Sequence, residues 1–207
     1  FYLPNWIDQE KINPDRVKKH QFLESKKYKV LYSGNIGDKQ DWNSFVQFCK
    51  DLNEDEYSIV IVGDGSRKKW LLEEMKGFPH VSYHPPVPFE DLSDLLCSAD
   101  IHVLFQKPDV IDTVMPSKVL GMMASAKPSV IIGNPKSEVK TIFDESQGGL
   151  YFNHYSEEVT KALDDLQSDA VKSSQMGNNA RTYIINNFSK GKILDSMLAK
   201  LKQLKDT

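Results

Sequence analysis

Short apolar runs alternate with amphipathic stretches along most of the chain, from about residue 29 onward. Apolar runs bounded by glycine or proline are typical of buried strands, and apolar positions three and four apart are typical of helices. The pattern predicts strands at 29–34, 57–62, 80–84, 100–106, 127–133 and 148–153. It predicts helices at 40–52, 67–76, 89–99, 116–126, 137–146, 156–167, 170–188 and 190–205.

This alternation predicts an α/β fold, a doubly wound parallel sheet of about six strands with extra C-terminal helices. The strands are apolar over almost their whole length, which is typical of a sheet covered on both faces. Ligands bind such sheets at the carboxyl ends of the strands, so we expect function in loops 34–41, 63–67, 84–89, 105–118 and 133–139. We expect 1–28 to be a linker from another domain, 29–188 the ligand-binding domain, and 189–207 a C-terminal helix.

Composition narrows the class of protein. The 207 residues are 40% hydrophobic and carry a formal net charge of −3, which fits one globular domain and gives no basic surface for nucleic acid. Cys49 and Cys97 lie in apolar helical stretches and are expected to be reduced thiols. The five histidines show no ligand spacing, so we expect no metal. The chain begins at Phe1 without a methionine, and we expect it to be a piece of a longer protein.

Lys118 stands in the expected first turn of the helix within "VMPSKVLGMMASAKPSV". A cation is unfavourable at a helix N-terminus, by a few tenths to about 1 kcal/mol, unless an anion accompanies it. A bound diphosphate would reverse that penalty, because its charge would meet both the lysine and the helix N–H groups. A lysine whose stem covers apolar surface while its amine stays in water also fits the sequence.

Four loops carry candidate chemistry, each with a plainer alternative. "SGNIGD" (33–38) fits a phosphate cradle or a tight strand-to-helix turn. "VGDGSRKK" (62–69) fits a nucleotide loop or helix capping by Asp64 and Ser66. "HPPVPFEDL" (84–92) fits an apolar ledge for a planar base, or a rigid connector in which Phe89 docks its helix on the core. In 106–118, Asp109 and Asp112 could meet hydroxyls, and Ser117 could cap the next helix.

Together these segments resemble the C-terminal, donor-binding domain of a GT-B glycosyltransferase of family 4, of the bacterial surface-polysaccharide type. The likeness is most specific in "MPSKVLGMMASAKPSVI" (115–131). It extends over essentially the whole chain, through "LPNWID", "VLYSGNIGDKQDW", "IVGDGSRKKWLLE", "VSYHPPVPFEDLSDLLCSADIHV" and "GNPKSEV…GGLYF".

The resemblance implies a Rossmann-like domain that is one half of a GT-B fold. It implies a UDP- or GDP-sugar donor, transfer with retention of configuration, and no metal or other cofactor. The implied partners are a missing N-terminal domain of the same chain and a saccharide or lipid-linked acceptor in capsule, lipopolysaccharide or exopolysaccharide synthesis. The implied location is the cytoplasm, with contact to the inner membrane through the missing domain, and this piece alone is expected to be inactive.

The resemblance also implies roles for particular residues. Lys118 and Asp112 would act in catalysis, with Lys118 facing the diphosphate or the sugar. The donor-binding residues it implies are Gly34, Asn35, Gln40, Gly63, Ser66, Arg67, Val87, Pro88, Met115, Pro116, Ser117, Lys118 and Glu138. Of these, the first three would follow the phosphates, Ser66 and Arg67 would lie near the nucleoside, and Val87 and Pro88 would line the base pocket.

Several positions depart from the family pattern. The family commonly has two glutamates eight positions apart, of which the second binds ribose. Here the second position is Gly121 and the first is Thr113, beside Asp112. Asn35 and Gln40 stand where arginine and lysine are common. We interpret the chain as a divergent subgroup with a different ribose contact, or as a weak or inactive enzyme.

Other functions fit less of the sequence. An epimerase of the same GT-B architecture would act on a nucleotide-linked sugar without transfer, but "PSKVLGMMASAKPSV" fits a transferase better. A non-catalytic binding module is a further alternative, because Gly121 stands where the family has the glutamate that binds ribose. A dehydrogenase is disfavoured because no G-x-G-x-x-G opens the first strand-to-helix unit.

Overall fold

The computed structural model of the protein describes residues 5–111 and 115–205. Six strands form one sheet, and every neighbouring pair is parallel. The strands are β1 Tyr28–Ser33, β2 Tyr57–Val62, β3 Val81–His84, β4 Ile101–Phe105, β5 Ser129–Ile132 and β6 Gly149–Phe152. Their order is β3-β2-β1-β4-β5-β6, so the direction of the chain through the sheet reverses between β1 and β4. This confirms the predicted α/β, Rossmann-like doubly wound fold.

Helices follow the strands and cover the sheet. They are α1 Trp42–Asp51, α2 Lys68–Glu74, α3 Leu92–Ser98, α4 Ser117–Ala124, α5 Glu138–Ser146, α6 Glu157–Ser168, α7 Ala170–Phe188 and α8 Lys190–Lys205. The predicted helix at 89–99 divides into a 3-10 turn, Phe89–Asp91, followed by α3. Three prolines shortly before it fix an extended chain, which delays the start of the α-helix.

The core is densest at the centre of the sheet. All five residues of β4 are buried, as are the last four of β2. Large aromatic side chains fill one side of it, with the Phe45 and Phe105 rings 5.4 Å apart and nearly perpendicular. Cys49 and Cys97 are buried and free, as their apolar helical context predicts.

The segment before β1 packs on the domain. Ile12 and Leu23 are buried, and Ile7 exchanges backbone hydrogen bonds with Phe188 and Lys190 across the α7–α8 junction. Arg181 of α7 donates to the carbonyl of Ile12 at 2.8 Å. Residues 5–27 therefore belong to the same folded body as the sheet, and they form one wall of the site described below.

Candidate functional site

The site lies where the strand order reverses, at the carboxyl ends of β1 and β4. The loops that follow β1 and β2 press against each other there. The Gly34 N–H donates to the Val62 carbonyl at 2.9 Å, and a Cβ added at Gly63 would lie 1.9 Å from the Gly34 oxygen. Gly34 has a φ of +140°, a conformation that side chains other than glycine rarely adopt. These glycines let the two loops form a continuous backbone surface facing the crevice.

Two adjoining cavities occupy the crevice and share Ser33, Gly34, Asn35 and Leu92. The smaller, of about 330 Å³, is also lined by Val62, Gly63, Asp64, Pro86 and Val87. The larger, of about 500 Å³, is also lined by Trp6, Ile7, Asp8, Lys11, Ile12, Phe89, Leu96, Ser117, Lys118 and Gly121. We call them the inner cavity and the outer cavity, respectively.

Lys118 lies in the first turn of α4 and reaches across to the loop after β1. A Cβ on Gly34 would lie 3.7 Å from its Cδ atom, and its Nζ is 5.7 Å from the centre of the Tyr32 ring. The stem thus packs on a glycine and the amine meets an aromatic face, a favourable cation–π position. The stem therefore covers other residues, as the plainer alternative expects, but the amine is buried, so the expectation that it stays in water is wrong. Lys118 also lines the outer cavity, so an anion bound in that cavity could contact it, as the other interpretation predicts.

The helix that carries Lys118 begins differently from the sequence expectation. Pro116 is the N-cap residue and no side chain caps the helix, so the expectation that Ser117 caps it is wrong. Ser117 is instead the first helical residue and lines the outer cavity. Met115 is fully buried, and its carbonyl accepts a hydrogen bond of 2.9 Å from the Asn5 amide. Pro116 and Met115 therefore set the entry of α4 and do not line either cavity.

Two of the expected phosphate-loop residues have different positions. Asn35 lines both cavities. Gln40 is buried, and its Oε1 accepts a hydrogen bond of 3.2 Å from the Gly37 N–H, which braces the loop from behind. The Tyr32 hydroxyl donates to the Asn35 carbonyl at 2.7 Å, and burial raises the pKa of that hydroxyl. The loop is held rigidly with Asn35 towards the ligand side.

Ser66 and Arg67 are both bound to Asp38. The Ser66 hydroxyl donates to its carboxylate at 3.1 Å, and the Arg67 guanidinium forms an ion pair with it. These hydrogen bonds, that of Arg67 first, hold the pKa of Asp38 below its ordinary value. Neither Asp64 nor Ser66 caps α2, which begins at Lys68 without a side-chain cap, so that expectation is wrong. The ion pair ties the loops after β1 and β2 together outside the two cavities.

The proline-rich loop forms the far wall of the inner cavity. Pro86 and Val87 line it, and Pro88 follows on the surface as the N-cap of the 3-10 turn. Phe89 is 58% exposed, so the expectation that it docks on the core is wrong. Its ring lies at the outer cavity, where the Lys11 amine is 4.9 Å from its centre.

Of the remaining residues singled out from the sequence, some line a cavity and others do not. Glu138 opens α5 after β5 and is not among the described residues that line the two cavities. Asp112 and Thr113 lie outside the described residues. Gly121 does line the outer cavity, and a Cβ there would come within 3.2 Å of Leu96 Cδ1.

The sequence did not predict that residues 5–12 form a wall of the outer cavity. Trp6, Asp8 and Ile12 reach the outer cavity only because residues 5–12 fold back beside α4. The available signal was the motif "LPNWID", which ends at Asp8. Its packing depends on contacts with residues more than 100 positions away, such as the Asn5–Met115 hydrogen bond.

Comparison with known proteins assigns the family. Residues 14–183 match the family described as glycosyl transferases group 1. This chain belongs to that family. The matched range contains all six strands of the sheet and most of the residues that line the two cavities.

A curated relative and two solved structures are similar to the chain. WcaI of Escherichia coli (strain K12), which bears the name of a colanic acid biosynthesis glycosyl transferase, is 26% identical over 156 residues. Those residues cover 72% of this chain and 38% of WcaI, so the chain spans well under half the length of the curated relative it matches.

The structural likeness covers nearly the whole chain. A glycosyltransferase from Rickettsia africae ESF-5 superposes with a TM-score of 0.80 at 14% identity, over 99% of this chain and 57% of that one. Alr3699/HepE from Anabaena, solved with UDP-glucose, superposes with a TM-score of 0.76 at 12% identity, over 96% of this chain and 56% of that one. At these identities the likeness concerns the fold.

Neither a metal-ligand cluster nor a membrane-spanning helix occurs among the described residues. Within residues 5–111 and 115–205, no three His, Cys, Asp or Glu side chains are grouped so that they could hold a metal ion. None of the helices described is long and apolar enough to span a bilayer. That no metal takes part stays a prediction.

Proposed function

We propose that this chain is the C-terminal, donor-binding domain of a family 4 GT-B glycosyltransferase that transfers a hexose from a UDP- or GDP-sugar with retention of configuration. One observation carries the proposal. Two adjoining cavities meet at the reversal of strand order, and Lys118 in the first turn of α4 lines the outer one and packs against Gly34, which lines both. This arrangement can hold the base of a donor in the inner cavity, with its ribose, diphosphate and sugar in the outer cavity.

The diphosphate is the leaving group of the proposed reaction. Negative charge develops on it as the bond to the sugar breaks, and the Lys118 amine with the N–H groups of the first turn of α4 would stabilise that charge. Gly34 and Asn35 would bring backbone and amide groups to the same phosphates. No metal is required in this scheme, because the protein itself supplies the positive charge. Asp112 stays a proposed catalytic partner.

The inner cavity is the proposed base site. Pro86 and Val87 offer an apolar wall, and the Gly63 backbone faces it from β2. The Tyr83 hydroxyl donates to the Gly63 carbonyl at 3.0 Å, which fixes that wall. Arg67 and Ser66 are engaged with Asp38, so we assign them to the support of the loops near the nucleoside.

The acceptor and the other half of the enzyme lie outside this chain. Since the chain spans 38% of WcaI, we propose that an N-terminal domain closes over the outer cavity and carries the acceptor site. The acceptor would be a saccharide or a lipid-linked saccharide in surface-polysaccharide synthesis. The enzyme would then work in the cytoplasm, at the inner membrane through that domain, and the piece alone would not turn over substrate.

A non-catalytic nucleotide-binding module is the second candidate. Gly121 favours it, because this position supplies no carboxylate to the outer cavity. Nucleotide binding without transfer by the full-length protein would decide for this candidate over the transferase. Hydrolysis or epimerisation of the donor would decide for an epimerase.

Titration with nucleotides tests the proposed donor site. Thermal shift and NMR titrations with UDP, GDP and NAD should show binding of UDP or GDP, because a ligand of the folded state raises its stability. The shifted resonances should map to Gly34, Asn35, Val87 and 115–121. Shifts with NAD alone, or none with any of the three, would contradict the proposal.

Lys118→Met isolates the phosphate contact. We expect affinity for the nucleoside diphosphate to fall about tenfold, as for loss of one charge-assisted hydrogen bond, with affinity for the nucleoside unchanged. Lys172→Met is the matched control, since Lys172 lies exposed in the first turn of α7. An equal loss for nucleoside and nucleoside diphosphate would contradict the role of Lys118.

A further inference from the structure

The outer cavity contains one carboxylate that the proposed function leaves unused. Of its described lining residues, only Asp8 is acidic. The wall around it is mainly apolar, with Ile12, Leu92 and Leu96, while Lys11 and Lys118 provide positive charge. A phosphate would be repelled by Asp8, so this carboxylate needs a different group of the ligand, one that donates hydrogen bonds.

Two anchors place Asp8 beside the middle of α4. At the start of the segment, the Asn5 amide donates to the carbonyl of Met115, just before α4. At its end, Arg181 donates both to the Ile12 carbonyl and to the carbonyl of Ala124, the last residue of α4. Residues 5–12 therefore run alongside α4 in the same direction. Asp8 lies between the two anchors, and Gly121 opens the same cavity with no side chain of its own.

The backbone around Asp8 holds its carboxylate in place. Its carbonyl accepts hydrogen bonds from the Lys11 N–H at 3.0 Å and the Ile12 N–H at 3.3 Å. Its Oδ1 accepts one from the Glu10 N–H at 3.2 Å. An ionised carboxylate has about four acceptor positions, so this turn leaves capacity for hydrogen bonds from a ligand while fixing the side chain.

We propose that Asp8 binds the ribose of the donor by accepting hydrogen bonds from its 2′- and 3′-hydroxyls. The inference rests on the proposed function, in which the diphosphate lies at Lys118. Two oxygens of one carboxylate match two neighbouring hydroxyls, and the outer cavity, of about 500 Å³, has room for a pentose beside Asp8. A carboxylate used in this way makes the site selective for ribonucleotides over deoxyribonucleotides, because loss of a hydroxyl leaves it unsatisfied.

The test compares UDP with 2′-deoxy-UDP, or the guanine pair if GDP is the better ligand. The unmodified chain should bind the ribonucleotide about tenfold more tightly, the size expected for a hydrogen bond to a charged group. Asp8→Ala should lose that preference by weakening only the ribonucleotide. Asp8→Asn keeps an acceptor for the Glu10 N–H, so it should fold and should retain a preference of about threefold or less. Asp15→Asn, an exposed carboxylate in the same segment, should behave as the unmodified chain.

Three results would overturn the inference, and they are distinguishable. If the Asp8 variants keep the full preference for the ribonucleotide, Asp8 does not contact the pentose. If both nucleotides weaken equally, Asp8 serves only the turn, and the donor site itself survives. If the unmodified chain binds neither UDP nor GDP, the proposed function fails together with the inference. Asp8→Asn decides the question should Asp8→Ala fail to fold.

Discussion

At the scale of single residues, the clearest effect of burial is on His102 in β4. The side chain is 1% exposed, and its Nε2 lies 2.9 Å from the Ser125 hydroxyl, which in turn donates to the Met122 carbonyl. Burial, followed by the nearby charge of Lys127, lowers the pKa of His102 to about 3. This neutral histidine joins the sheet to the C-terminal end of α4 and has no place in the proposed chemistry.

His102 should make the domain sensitive to mild acid. Its pKa is about 3 when folded and 6.5 in the unfolded chain, so only the unfolded chain binds the proton between these values. The contribution of neutral His102 to the free energy of unfolding should be fully present above pH 6.5 and should be lost as the pH drops towards 3. At pH 5 the loss from this group should be about 2 kcal/mol. Urea unfolding at pH 7 and pH 5 measures the loss. Desolvation lowers the pKa of His84 as well, which adds to it in the same direction.

His102→Gln removes one of these two titrating groups and should reduce the loss of stability between pH 7 and pH 5 by about 2 kcal/mol, leaving the contribution of His84. His154→Gln, at an exposed position, is the control and should leave the profile unchanged. An unaltered slope in His102→Gln would mean that other groups carry the acid sensitivity. The carboxyls of Asp38 and Asp64 titrate below this range, because hydrogen bonds lower their pKa values.

At the scale of elements, two glycines within helices differ in what a side chain would meet at their positions. Gly121 of α4 faces the flexible end of Leu96, whereas Gly177 of α7 faces backbone. A Cβ on Gly177 would lie 2.1 Å from the carbonyl oxygen of Ala126, in the turn between α4 and β5. α7 therefore approaches that turn more closely than any side chain allows.

The two alanine variants should differ sharply in stability. Gly177→Ala should destabilise the domain by about 2–4 kcal/mol, because the gain in helix propensity of about 1 kcal/mol is outweighed by displacement of backbone. Gly121→Ala should change the free energy of unfolding by less than about 1 kcal/mol, since Leu96 can shift by a few tenths of an ångström. Urea denaturation of both variants measures the difference. Equal values would show that α7 can move away from the turn without cost.

The strands and helices were predictable from the sequence, but the residues that cap the helices were not. The apolar runs placed all six strands within about two residues, because burial on both faces leaves a continuous signal. Residue type alone makes Ser117 and Ser66 candidate helix caps, yet neither caps its helix, since Pro116 and Arg67 occupy those positions. Capping depends on local backbone angles that residue preference specifies only weakly.

At the scale of the whole molecule, the candidate site is assembled from distant parts of the chain. Gly34, Asn35, Val87 and Lys118 could be brought together from sequence because the loops of a parallel sheet meet at one edge. The wall made by residues 5–12 could not, since no periodicity marks it and its contacts reach α4 and α7. The outer cavity exists only while that wall stays in place.

Arg181 holds this wall, which gives the last prediction. Its guanidinium donates to the carbonyls of Ile12 and Ala124, with a longer contact of 3.4 Å to Gln9, and so joins the N-terminal segment to α4 and α7. Arg181→Met should open residues 5–12, raising their amide exchange by about tenfold or more while the core strands stay protected. UDP affinity should fall with it, because Asp8 loses its fixed position. Arg16→Met, on the exposed 3-10 turn, is the control. Faster exchange spread evenly over the sheet would mean that Arg181 stabilises the whole fold, and unchanged exchange at residues 5–12 would mean that the Ile7 backbone hydrogen bonds suffice to hold the wall.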